Sequence, residues 1–167
     1  LEVLNPDLEV ERDANGQLYV GGMLIDSRQP DDGRALEWLL AQREIVIRGG
    51  SLRWRDQLRA APELKLSDIS FVLRNQWRSH QAALRATPPV ALAAPIDVRA
   101  EFTHPAFIAK RADYAQWSGE LYADCRDTHL DAWKRYAELP WQLAGGGGAL
   151  RAWLTFNRGV VDNVTAD

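Results

Sequence analysis

The sequence predicts a mainly β (α+β) fold: a curved, mostly antiparallel sheet of about nine strands, forming a groove or an open sandwich, with two short helices. Three observations carry this reading. Short runs of apolar/polar alternation recur along the chain, turn residues separate them, and only two segments show helical spacing.

The elements follow in order. Leu8-Glu9-Val10 and Leu18 to Ile25 flank the turn sequence Asp13-Ala14-Asn15-Gly16. Arg34 to Arg43 places Leu36, Leu39 and Leu40 at i, i+3 and i+4 behind the capping pair Asp31-Asp32, which predicts a helix. Ile45-Val46-Ile47 is an apolar run and Leu52-Arg53-Trp54-Arg55 alternates, with Gly49-Gly50 expected to turn the chain between them as a hairpin. Leu64-Lys65-Leu66 and Ile69 to Leu73 alternate in opposite phase, so a bulge or turn is expected at Ser67-Asp68. His80 to Thr87 sets Ala82, Leu84 and Ala86 against Gln81 and Arg85. Ile96 to Thr103 alternates without error, with Ile96, Val98, Ala100 and Phe102 on one face. Trp117 to Asp124 nearly repeats that pattern, and Tyr122 is the exception. Thr128 to Leu139 carries Leu130, Trp133 and Ala137 on one stripe, a capping-box-like start at Thr128 and Asp131, and Pro140 as a stop, which predicts the second helix. Leu150 to Phe156 and Val160 to Ala166 read as a final hairpin across Asn157-Arg158-Gly159. The loop over residues 104–116 is the longest irregular stretch and the one expected to be most mobile.

Composition narrows the function classes. The chain has 167 residues, 46% hydrophobic and 26% charged, which is globular and long enough for one core. No sharp internal boundary divides it, so residues 1–167 are expected to form a single β-rich domain. A net charge of −3 and a pI near 5.6 argue against phosphate neutralisation, so no nucleic-acid partner is expected. Arg48, Arg53, Arg55 and Arg59 around Trp54 then read as a solvated sheet face. The single cysteine, Cys125, excludes an internal disulfide and any multi-cysteine metal site. No apolar run reaches the ~18 residues of a membrane-spanning helix, and there is no signal peptide. The chain starts at Leu1 and ends directly after a strand-like run, which predicts a section of a longer polypeptide.

No enzymatic constellation emerges. His80, His104 and His129 have no metal-type spacing. Cys125 and His129 lie four apart beside Asp124 and Asp127, but a strand end and a helix start between them read as a partly buried thiol and a first-turn residue. Gly145 to Gly148 lacks the Lys-Ser or Lys-Thr of a phosphate loop and reads as a turn or a flat strand segment. Asn163-Val164-Thr165 matches a glycosylation sequon, a weak signal. The expectation is a protein with no catalytic residues, no metal and no cofactor.

An ordered series of segments resembles the YhdP family of AsmA-like bacterial envelope proteins. A helix ending in Leu39-Leu40-Ala41-Gln42 precedes an apolar strand, followed by Gly50-Ser51-Leu52-Arg53-Trp54-Arg55-Asp56. The likeness continues through Leu66 to Leu73, Leu84 to Pro89, Trp117 to Asp124 and Gly148 to Leu154. It covers most of residues 38–167 and, more loosely, Asn5 to Val10, whereas Cys125 and the loop from Thr103 to Gln116 match no family feature. The resemblance implies a large periplasmic protein anchored by an inner-membrane helix outside this segment. Its long β-groove would pass phospholipids between the inner and outer membranes and so support the outer-membrane barrier. Phospholipid acyl chains and the remaining β-groove of the parent protein are the implied partners.

Both lines meet at one point. Many half-apolar strands and only two short helices leave an apolar sheet face partly uncovered. Ile45, Ile47, Leu52, Trp54, Phe71, Leu73, Leu84, Ile96, Val98, Phe102 and Leu121 are the residues expected to face lipid. The alternative is a non-enzymatic β-rich scaffold of the envelope without lipid cargo.

Overall fold

The computed structural model describes residues 1–25, 34–107, 113–136 and 147–167. Eleven strands form one open, uncurled mixed sheet. They are β1 (Glu2–Leu4), β2 (Asp7–Arg12), β3 (Leu18–Val20), β4 (Met23–Ile25), β5 (Glu44–Asp56), β6 (Ala61–Gln76), β7 (Ser79–Thr87), β8 (Ile96–Thr103), β9 (Ser118–His129), β10 (Gly147–Asn157) and β11 (Val160–Ala166). The spatial order is β11-β10-β9-β8-β7-β6-β5-β2-β3-β4, with β1 also on β5. Every pairing is antiparallel except β1 and β2, which run parallel to β5. Two short helices, α1 (Arg34–Ala41) and α2 (Leu130–Trp133), complete the mainly β architecture that the alternation predicts. The described strands build one layer, so the open-sandwich alternative is not formed among them.

Several boundaries differ from the sequence reading, each for a local reason. Gly49-Gly50 does not turn the chain: β5 runs through it for 13 residues. Gly49 has φ +64, and a side chain there would run into the Asn5 carboxamide. Asn5 itself has φ 48, and Asp68 on β6 has φ 50. Glycine pair and neighbours thus make a bulge that crosses three strands at one level, including the irregularity expected at Ser67-Asp68. Each bulge inverts the side-chain phase of its strand. Apolar residues that change from odd to even numbering across it on β5, and from even to odd on β6, therefore stay on one face. Gly49→Ala is expected to lower stability by about 1–2 kcal/mol through left-handed backbone strain and that steric overlap. A urea midpoint shift that Asn5→Gly partly restores would confirm the overlap; an unchanged midpoint would refute it.

Leu18 to Ile25 splits into β3 and β4 at Gly21-Gly22, whose φ values of 58 and 79 suit a tight hairpin. Strand β9 extends to His129, so Thr128 and His129 are not the first helical turn; α2 is four residues long. The Thr128 hydroxyl donates to the Cys125 carbonyl (3.0 Å) instead of capping a helix. Gly147 and Gly148 pair with His129 and Thr128 and begin β10 as flat strand, while Gly145 and Gly146 lie outside the described residues. The capping pair Asp31-Asp32, residues 137–139 of the second predicted helix with its stop Pro140, and part of the loop over 104–116 lie outside the described residues. The final hairpin forms as predicted, its turn made by Arg158 (φ 49) and Gly159 (φ 70).

Few described apolar side chains are fully buried. They are Leu40, Ile45, Leu64, Leu73, Ala86, Leu92 and Ala93. Helix α1 is held at one end of the sheet by Asn75, whose Nδ2 donates to the carbonyls of Leu39 (2.9 Å) and Gln42 (2.5 Å). Its Oδ1 must then accept, so His80 Nδ1 carries the proton in their 2.7 Å contact. The segment between β7 and β8 folds over the other end of β9, where Leu92 O accepts from His129 N (2.8 Å).

Candidate functional site

The register assigns side chains to faces. Val3, Ile47, Phe71, Leu84, Val98, Ala123, Ala152 and Ala166 stand directly opposite one another across eight strands. At strand spacing, that apolar row is roughly 34 Å wide. The next row runs through Ile45, Leu73, Ala82, Ala100, Leu121, Leu154 and Val164. Leu52 pairs with Leu66, and Trp54 with Leu64, beyond the bulge. All eleven residues expected on the apolar face share it: Ile45, Ile47, Leu52, Trp54, Phe71, Leu73, Leu84, Ile96, Val98, Phe102 and Leu121. Only Ile45 (4% exposed) and Leu73 (6%) are buried; the other nine are half-covered. Phe102 is additionally stacked between His80 (5.0 Å between centroids) and Trp117 (4.3 Å).

Sequence reading missed the same-face contributions of Val3, Leu8, Val10, Leu154 and Val164. The same period-two signal marks them, but in strands too short or too bulged to stand out. It also missed what bounds the face. At one end Asn75 and His80 sit in the apolar phase, hydrogen-bonded to each other and, through Asn75, to the end of α1. At the other, Asp56 (no side-chain exposure) accepts a two-pronged pair from Arg12 through Nε (2.9 Å) and Nη2, and a bond from Arg59 N (3.1 Å). Burial is the largest influence on Asp56 and pushes its carboxyl up. The Arg12 hydrogen bond, the Arg59 amide and the two guanidinium charges together outweigh it and hold the group below the usual carboxylate range. Polar clusters thus bound this face at its ends, and the two central rows between them are apolar.

The opposite face is polar. Asp97 accepts from Arg99 Nε (3.0 Å) and Arg85 Nη2 (2.9 Å). The Arg99 bond is the main reason its carboxyl lies below the usual range, against an opposing effect of burial, with Arg85 adding to the lowering. A shallow concavity of about 1380 Å³ lies over this side of β6 to β10, lined by residues such as Arg74, Gln81, Glu101, Tyr122 and Trp153.

Nothing among the described residues assembles reactive chemistry. Burial, and secondarily Asp124, push the Cys125 thiol up, which leaves it protonated and a poor nucleophile at neutral pH. Cys125 and His129 lie on the same strand rather than across a strand–helix junction. Groups of three or more His, Cys, Asp or Glu arranged for a metal ion are absent among the described residues.

Comparison with known proteins gives one result. The sequence model of the YhdP protein family matches residues 1–167, the whole chain. Neither a curated protein nor a solved structure matches. The alternating strands, the open sheet and the full-length match lead to one assignment: the chain belongs to the YhdP family.

Proposed function

We propose that the chain is a section of a periplasmic, inner-membrane-anchored protein that handles phospholipids, and that its apolar sheet face is the surface acyl chains move along. The observation that carries the proposal is the unbroken apolar face, eight strands wide at its centre, of which most side chains are only half-covered. Family membership supports it, because YhdP proteins are associated with lipid transport in the envelope. The energetics fit a conduit. Each methylene buried is worth about 0.8 kcal/mol, and no polar group on the central rows selects one headgroup. Alanines at 82, 100, 123 and 152 keep the floor of the central rows low, leaving bulk to Phe71, Leu84, Val98 and Leu121. The sheet is uncurled. In this reading, neighbouring sections of the parent groove supply the walls. The reaction is transfer without chemistry, so no catalytic group is required.

The flatness also favours a second reading, a non-enzymatic scaffold without cargo. Native mass spectrometry of the chain after bacterial expression separates the two. Phospholipid adducts are expected, and Phe71→Asp or Val98→Asp should remove them, whereas Glu101→Gln on the polar face should not. Lipid-free protein with an intact fold would establish the scaffold instead.

A further inference from the structure

The polar face carries a feature that lipid handling does not use. Ala83, Arg99, Tyr122, Trp153 and Thr165 stand opposite one another on five successive strands. Alternation would put polar side chains along this row, yet Ala83 and, further along it, Val72 and Val46 are apolar too; what distinguishes Tyr122 and Trp153 is that they are adjacent aromatics. Their rings lie 5.2 Å apart at 46°, and Trp153 remains 41% exposed. The pair belongs to the concavity of about 1380 Å³ on this face. Hydrogen-bonding rows border it on both sides: Asp97 and Asp124 on one, Glu101, Glu120 and Thr155 on the other.

Charge and hydrogen bonding narrow the ligand. The lining holds four arginines (74, 85, 99, 126) and four carboxylates (97, 101, 120, 124), so it offers no net charge to a polyanion or a polycation. Flat aromatic faces attract the weakly positive C–H edges of a ring, and flanking carboxylates, guanidinia and hydroxyls suit a ligand rich in hydroxyl groups. We propose that the concavity on this polar face binds a neutral oligosaccharide, with one sugar ring stacked on Trp153 beside Tyr122. The section then has two working sides, acyl chains on one and a glycan on the other.

The test is a nuclear magnetic resonance titration of the chain, with the Trp153 indole N–H assigned through Trp153→Phe. The probes are tetra-N-acetylchitotetraose, maltotetraose and a heparin tetrasaccharide. At least one neutral probe should shift the Trp153 signal saturably at roughly millimolar concentration or below. Trp153→Leu, which keeps bulk and removes the π face, should weaken binding about tenfold or more. Phe71→Asp, on the other face, should leave binding unchanged. No neutral shift up to about 10 mM, preference for heparin, or unaltered binding by folded Trp153→Leu would each overturn the proposal.

Discussion

Asn75→Ala is expected to cost about 3–5 kcal/mol and to unseat helix α1, as three hydrogen-bonding groups lose their partner at once. The Asn75 amide nitrogen serves the carbonyls of Leu39 and Gln42 at the helix C-terminus, and its oxygen takes the Nδ1 proton of His80, which has no exposed surface. Carbonyls at a helix end lack intrahelical donors, so Asn75 does for α1 what a C-cap would. The backbone reinforces the seat, Asn75 N donating to Arg43 O (3.0 Å). Leu40, Ile45 and Leu73, three of the fully buried apolar residues, gather at this end. Losing the helix would therefore expose core as well as polar groups. The measurement is urea unfolding combined with hydrogen exchange: a lowered midpoint and fast exchange across Arg34–Ala41 are expected. Asn75→Asp should be as damaging, since a carboxylate cannot donate to either carbonyl. A loss below about 1 kcal/mol for both variants would show that the contact does not hold the helix.

How much of this was legible in the sequence depends on the range of the interaction. Ile96 to Thr103 reads directly, because each residue's face is set by its neighbour and nothing interrupts the phase. The eleven apolar-face residues follow from the same local rule, and the register aligns them on one side. Gly49-Gly50 could not be read this way. A glycine pair suits both a turn and a bulge, and what decides is Asn5 and Asp68 lying at the same level on neighbouring strands. The Thr128–Asp131 pattern likewise resembles a cap locally, yet pairing of Thr128 and His129 with Gly148 and Gly147 keeps the chain extended. Tertiary pairing overrides the local preference there. Asn75–His80 and Arg12–Asp56 were invisible for the same reason. Each looks like a polar residue misplaced in an apolar phase until its partner, brought in by sheet register, is known.

The two faces obey different rules, which explains why one sheet can serve two surfaces. On the apolar side the polar groups are gathered into buried, hydrogen-bonded clusters at the ends. On the other side, ion pairs such as Arg74–Glu44 and Arg48–Glu2 stay on a solvated surface, where each contributes little to stability. Removing a charge from the polar face should thus be mild, and removing one from an end of the apolar face severe.

Asp56→Asn tests the severe case, with an expected loss of about 2–3 kcal/mol at neutral pH. Breaking a fully buried pair costs more, but Arg12 keeps 26% of its side-chain surface exposed and can recover part of its hydration. The asparagine also retains an oxygen for the Arg59 amide. The pH dependence distinguishes lost charge from lost shape. The Asp56 carboxyl is held below its ordinary value in the folded chain. Its contribution is therefore complete above the unfolded pKa of about 3.9 and disappears as pH falls through the lower folded value. Stability of the parent chain should drop in that acid window, while Asp56→Asn drops less, so that the two curves converge below about pH 4. Urea midpoints measured at a series of pH values give both curves. A gap that stays constant into acid would mean that packing around the side chain, rather than the ion pair with Arg12, anchors this end of the sheet.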